Sequence, residues 1–175
     1  MRYSYASFKG KTSWSINVMK YFPIAVLLKD KKVVVVGGGR IAERKVRLLI
    51  KAGANITVVS PTVTTYLSNL YTKGVLQWKE RNVRGSDIKK SVLVIAATND
   101  LAVNEKVSMW AQQENILVNV VDNKKHSTYI SPAVVRHKEV LVTVYTDGQD
   151  PELSRDIKKY LKDNWDEFIL YRNRS

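Results

Sequence analysis

Six consecutive residues, Gly37-Gly38-Gly39-Arg40-Ile41-Ala42, carry the most specific chemical signal in the chain. They match G-x-G-x-x-A and directly follow the apolar run Val33–Val36. A strand before and a helix after are the context this pattern needs to cradle a dinucleotide. Gly37 permits the tight turn, Gly39 lets the main chain approach a pyrophosphate, and Ala42 allows helix and strand to pack closely. The helix opening at Arg40 and Ile41 offers free amide groups and the positive end of its dipole to the phosphates. A plain glycine turn would use the same letters; it is the strand and helix on either side that favour nucleotide binding.

An acidic residue commonly closes the second strand of such a unit and holds the adenosine ribose. Here that strand ends Val58-Val59-Ser60-Pro61-Thr62, with no acid. Ser60, Pro61 and Thr62 are the candidate ribose contacts, and a hydroxyl from Ser60 or Thr62 selects less sharply than a carboxylate, so NAD and NADP both stay open. Thr98 precedes the helix-capping pair Asn99-Asp100 and either lines the same cleft or serves the cap. Asp122 closes the fifth apolar run, on the edge where doubly wound sheets bind ligands. It is either a reactive carboxylate or an ordinary turn aspartate ahead of Asn123-Lys124. His126 reads as a surface-loop histidine.

The elements that must position these residues alternate in type. Val33–Val36, Ile56–Val59, Val75–Trp78, Val92–Ala97 and Ile116–Val121 are short apolar runs, as fully buried parallel strands are. Between them, Ala42, Val46, Leu49 and Ile50 recur at helical spacing, as do Val63, Tyr66, Leu67 and Leu70, and then Val103, Val107 and Trp110. Gly53 and Gly74 close the first two helices. The expected fold is α/β, a Rossmann-type doubly wound parallel sheet. The rhythm then changes. Tyr129–Val135 and Val140–Tyr145 are β-rich and joined by the polar turn Arg136-His137-Lys138-Glu139, which predicts a hairpin. Asp150-Pro151 opens a final helix with the apolar face Leu153, Ile157, Tyr160, Leu161 and Phe168.

Four segments follow from this reading. Residues 1–18 are a leader or tag-like extension, basic and Ser/Thr-rich without a secretory apolar stretch, and Met19 reads as a natural beginning. Residues 19–127 form the NAD-binding domain, 128–150 dimerisation strands, and 151–175 a C-terminal helical segment.

The composition narrows the chemistry. The chain of 175 residues has no cysteine and two histidines, so neither a disulfide framework nor a thiolate or multi-histidine metal site is expected. No apolar run approaches the ~20 residues of a membrane helix. The net charge of +13 attracts polyanions. A nucleic-acid binder would want a basic recognition helix or aromatics on an exposed sheet, and neither is visible; a small polycarboxylate fits the charge equally well.

Taken together, these motifs resemble the precorrin-2 dehydrogenase family, including the dehydrogenase part of siroheme synthase. The similarity runs through Tyr21-Phe22-Pro23-Ile24, Val36-Gly37-Gly38-Gly39, Ala42-Glu43-Arg44-Lys45, Ala96-Ala97-Thr98-Asn99-Asp100, Asn119-Val120-Val121-Asp122 and Ile130-Ser131-Pro132-Ala133. The resemblance implies a cytoplasmic, homodimeric enzyme that uses NAD to remove two hydrogens from precorrin-2, a tetrapyrrole polycarboxylate, giving sirohydrochlorin. It places Asp122 at the family's catalytic aspartate, as the proton acceptor, and implies dimerisation through the middle strands. A base with the ordinary aspartate pKa near ~3.9 is weak, so burial would have to raise it. Lys124, Lys125, Arg136 and Lys138 are placed to attract the substrate's carboxylates. Thr146 is a further substrate candidate, in a stretch where the chain departs from the family: it has Tyr145-Thr146-Asp147-Gly148 where members often have Ser-Ser/Thr-Gly-Gly. The segment after Pro151 is also short for the family, so either the chain is cut at Ser175 or its third domain is reduced. Some members insert iron as well. With no strong metal site expected, dehydrogenation is predicted as the main activity and chelation as slow or absent. A nucleotide-sensing regulatory module is the competing reading, although such modules usually keep the acid that Ser60-Pro61 replaces.

Overall fold

The computed structural model describes residues 21–121, 123–146 and 149–174. The proposed extension 1–18, Asp122, and the Asp147-Gly148 pair lie outside the described residues, as does the side chain of Phe168. Five parallel strands, β1 (Lys32–Val36), β2 (Asn55–Val59), β3 (Gln77–Lys79), β4 (Leu93–Ala96) and β5 (Leu117–Val120), form one sheet in the order β3-β2-β1-β4-β5. Helices α1 (Arg40–Lys51), α2 (Thr65–Thr72), α3 (Gly85–Ile88) and α4 (Leu101–Gln113) make the crossovers. A 3₁₀ turn, Lys124–His126, leads to an antiparallel pair, β6 (Ala133–His137) and β7 (Val140–Val144), and then to α5 (Pro151–Asp163) and α6 (Trp165–Arg174). No described helix is long and apolar enough to cross a membrane.

The four-valine run explains the layering. Val33 and Val35 face one side of the sheet and pack with Ala42, Val46 and Leu49 of α1 and Leu67 of α2. Val34 and Val36 face the other side and pack with Val107 and Ala111 of α4 and Ile88 of α3. All four are at most 2% exposed, and burial of each contributes roughly 1.5–3 kcal/mol. A strand with no polar face is what a sheet covered on both sides requires. Because β1 pairs with β2 on one flank and β4 on the other, the chain reverses its direction across the sheet there, and the loops after β1 and β4 diverge to opposite faces. That divergence opens a crevice above the carboxyl ends of the strands.

Several boundaries move from where residue patterns put them. The third strand begins at Gln77 rather than Val75, because the amide of Val75 still closes the end of α2 on the Leu70 carbonyl. Residues 129–132 are not part of the hairpin. The amides of Thr128 and Tyr129 instead bond to the carbonyl of Val118, holding these two residues beside β5, and β6 starts only after Pro132, which has no amide hydrogen. The hairpin turn is two residues, not four: His137 pairs with Val140, and Lys138 adopts the left-handed conformation (φ 50°) that two-residue turns favour. The expected single final helix is two, broken at Asn164, whose side chain donates to the Tyr160 carbonyl. The four-residue α3 escaped the sequence reading because it is too short to show a period.

One ion cluster holds α3 to the sheet. The Asp87 carboxylate is 2% exposed and accepts both ends of the Arg81 guanidinium at 2.7 and 2.8 Å, Lys79 Nζ at 2.9 Å and the Arg84 amide at 2.8 Å. The Arg81 hydrogen bonds, with those from Lys79 and Arg84, outweigh burial and hold this carboxyl well below the usual carboxylate range. Lys32 Nζ caps the same helix through the carbonyls of Asp87 and Lys89. A group whose folded pKa is depressed adds stability above its unfolded value of about 3.9 and loses it as pH falls toward the folded value. Asp87→Asn should therefore cost about 1–3 kcal/mol at neutral pH, because the buried Asp87 position would no longer supply the charged acceptor that the partly exposed Lys79 and Arg81 share. Urea unfolding should show that the wild-type loses stability below about pH 4 while the variant's profile is flatter there. Equal stabilities of the two proteins at neutral pH would contradict this.

Candidate functional site

The crevice above the sheet is a cleft of about 690 Å³, within the range of small-ligand pockets. Its floor is the glycine turn. Its walls are the loops after β2 (Ser60–Thr64), β3 (Asn82, Val83) and β4 (Ala97–Asp100), together with Val103, Lys106 and Trp110 on α4.

The three glycines are there for different reasons. Gly37 has φ 111°, and a Cβ on it would stand 2.4 Å from the Ala97 carbonyl oxygen, so the turn fits between β2 and β4 only without a side chain. Its amide bonds to the Val59 carbonyl. A Cβ on Gly38 would meet the Thr62 carbonyl oxygen at 2.0 Å, and the Gly38 carbonyl accepts the Thr64 amide, so this glycine lets the β2 loop close over the turn. Gly39 is unlike both. Its φ of −79° suits any residue and a Cβ would meet nothing within 4 Å. The fold does not need a glycine there. It is the N-cap of α1 without a side-chain cap, so open space stands before the helix's first amide groups, which have no acceptor within the helix. A dinucleotide pyrophosphate fits that space, its charge and its donors. Arg40 and Ile41 begin the helix and are exposed beside it.

The β2 loop is fixed from beneath. Ser60 is buried; its amide donates to the Lys79 carbonyl and its carbonyl accepts Trp78 Nε1 at 2.9 Å. Pro61 and Thr62 stand exposed on the cleft wall. Glu43, the acid in the helix below, is committed elsewhere: its carboxylate accepts Arg47 at 2.7 Å and Thr64 Oγ1 at 2.8 Å, which hold it below the usual carboxylate range. It ties α1 to the cap of α2 and leaves no carboxylate at the end of β2. Among the residues lining the cleft the acid is Asp100, at the opposite loop, where it caps α4 through the Val103 amide.

Thr98 lines the cleft and serves the cap at once. Its hydroxyl and its amide both reach Asn104 Oδ1, at 2.7 and 3.2 Å, and Asn104 Nδ2 returns a bond to the Thr98 carbonyl. Asn104 is 2% exposed. Residue patterns missed it, although a polar residue on the buried face of α4 was the available signal. Asn82, Val83, Lys106 and Trp110 were missed too, because they reach the cleft from separate elements.

Beyond β5 the chain is stitched by side chains. Ser127 Oγ accepts the Val120 amide and donates to the Asn123 carbonyl, Thr128 Oγ1 accepts the Val118 amide, and Asn119 Nδ2 donates to the Tyr129 carbonyl. The Val121 amide bonds to the Ala96 carbonyl, bringing the end of β5 beside that of β4. Asp122, the next residue, lies outside the described residues. His126 faces Glu105 of α4 at 3.5 Å. The candidate substrate residues are not gathered in the cleft. Lys124 is exposed in the 3₁₀ turn; Arg136 is exposed on the hairpin and donates to the Lys138 carbonyl; Thr146 Oγ1 donates to the Asp150 carbonyl and contacts Ser154 Oγ at the start of α5.

Comparison with known proteins agrees with this geometry. Residues 24–133 match the NAD(P)-binding family model. The siroheme synthase of Photorhabdus laumondii is 40% identical over 144 residues, which are 82% of this chain and 31% of that protein. Siroheme synthase 1 of Aeromonas salmonicida is 39% identical over the same share of each. The chain thus spans about a third of the length of these curated relatives. A solved structure titled SirC, precorrin-2 dehydrogenase, superposes with a TM-score of 0.74 at 33% identity, covering 82% of this chain and 71% of that one.

Proposed function

This chain belongs to the NAD(P)-binding family that includes precorrin-2 dehydrogenase, and from that premise we propose that it oxidises precorrin-2 to sirohydrochlorin with NAD as hydride acceptor. The observation that carries the reading is Gly39, a glycine the fold does not require, standing before the free amides of α1 at the sheet's switch point. The SirC relative's printed activity supplies the substrate. This reading makes it a cytoplasmic enzyme of siroheme biosynthesis.

In this mechanism the turn at Gly37–Gly39 and the first turn of α1 hold the pyrophosphate, and Ser60, Pro61, Thr62 and Thr98 border the rest of the dinucleotide. When bound, the nicotinamide supplies a two-electron acceptor that takes one hydrogen as hydride. The second hydrogen leaves as a proton, which Asp122 accepts. The basic surface draws the polyanionic substrate in, and the exposed Lys124 and Arg136, with Thr146, are its candidate carboxylate contacts, each from a separate element. NADH should appear in proportion to the precorrin-2 consumed; binding of NAD without any such turnover would favour a sensing module instead.

The same reading makes the protein a homodimer through residues 128–150. The pair β6–β7 has two strands, with Val140 and Leu141 about half exposed, and an apolar hollow of about 530 Å³ lies between Val140, Val142, Tyr160, Leu161, Trp165 and Tyr171. A two-stranded sheet with an open apolar face calls for a partner. Light scattering at micromolar concentration should give twice the 20.0 kDa chain mass, and Leu141→Asp should shift it toward the monomer. A monomeric wild-type would contradict the assignment.

A further inference from the structure

We infer that the adenosine end of the cleft carries an anion subsite centred on Lys106, which accepts a phosphate on the ribose 2′ oxygen, so that the chain binds the 2′-phosphorylated dinucleotide as well as NAD. The inference rests on the dinucleotide reading above and extends it. Three observations carry it. The first is the missing acid. A carboxylate at the end of β2 selects NAD because it bonds the ribose hydroxyls and repels a phosphate. This loop presents Pro61 and Thr62 instead, and Glu43 nearby is held by Arg47 and Thr64. Asp100, the acid that does line the cleft, belongs to the β4 loop and caps α4.

The second is the place of Lys106. Val103, Lys106 and Trp110 form one stripe of α4, and all three line the cleft. The Trp110 ring lies 3.5 Å from where a Cβ on Gly85 would stand, which sets this stripe against the loop after β3 that contributes Asn82 and Val83. Lys106 therefore shares the wall of the cleft that Asn82 and Val83 line, the side to which the dinucleotide reading assigns the adenosine half. The third is that its charge is uncommitted. Lys79 and Arg81, at the end of β3 and just after it, neutralise Asp87, whereas Lys106, which lines the cleft, makes no ion pair among the described residues. A flexible ammonium lining the same cleft as the Thr62 hydroxyl and the Asn82 amide is a suitable donor set for a phosphate monoester.

Calorimetric titration of the full chain with NAD and with NADP tests this. NADP should bind within about tenfold of NAD, and Lys106→Glu should weaken NADP at least tenfold more than it weakens NAD, the value of one charge-assisted bond. Ser60→Asp, which restores an acid to the loop, should shift the NADP-to-NAD ratio toward NAD by a similar factor. Wild-type protein that binds NAD but binds NADP a hundredfold more weakly would overturn the subsite and leave the dinucleotide reading standing. Equal losses for both cofactors in Lys106→Glu would likewise overturn it, assigning Lys106 to a part they share. Binding of neither would overturn the dinucleotide reading as well.

Discussion

Gly39→Asp will bind NAD at least ~100-fold more weakly than the wild-type, a loss of about 2.7 kcal/mol, and will unfold at the same or a slightly higher denaturant concentration. The two halves of this result come from one position. Aspartate adopts the φ of −79° found there without strain, its Cβ meets nothing within 4 Å, and aspartate is among the best helix N-caps. The fold therefore accepts it. The carboxylate, however, would take the space before the first amides of α1, satisfy them itself and repel a pyrophosphate. Gly38→Ala makes the contrast: its Cβ would stand 2.0 Å from the Thr62 carbonyl oxygen, so that variant should lose stability before anything else. Calorimetry with NAD, alongside urea unfolding, separates the two. Unchanged NAD affinity in Gly39→Asp would remove the glycine turn from the site.

Asp122→Asn should lower dehydrogenase turnover by about 10²–10⁴-fold, the usual contribution of a positioned proton acceptor. NAD affinity should stay the same, because the change removes a base and not a cofactor contact. Stopped-flow or steady-state rates with precorrin-2, paired with NAD titration, check both halves. Wild-type rates in the variant would show that Asp122 is only a turn residue. Iron insertion should be slow or absent: rapid iron insertion by the wild-type without NAD would rank the two activities the other way.

What could be seen in the residues was what periodicity and local spacing encode. The four-valine strand, the glycine turn and the alternation of strands with helices all emerge from neighbours in sequence, and the five-stranded parallel sheet follows. The rest depends on distant partners. Gly38 is needed because of Thr62, a residue on another loop, and no local rule distinguishes it from Gly39. Tyr129 and Ile130 have β-forming side chains yet stay out of the hairpin, because Thr128 and Asn119 hold Tyr129 beside β5. Asn104 looked like one more residue of an amphipathic helix until its three bonds to Thr98 were seen. Lys106 and Trp110 join Asn82 and Val83 only once α4 packs against the loop after β3. Lys124, Arg136 and Thr146, grouped by resemblance, are spread over a turn, a hairpin and a helix cap in the folded chain.

An anaerobic incubation tests whether the protein oxidises precorrin-2. Purified protein is mixed with NAD and precorrin-2, and the absorbance of sirohydrochlorin is followed together with that of NADH. Sirohydrochlorin should form only when both NAD and the protein are present, with one NADH for each molecule of product. Absence of sirohydrochlorin from protein that binds NAD would contradict that activity.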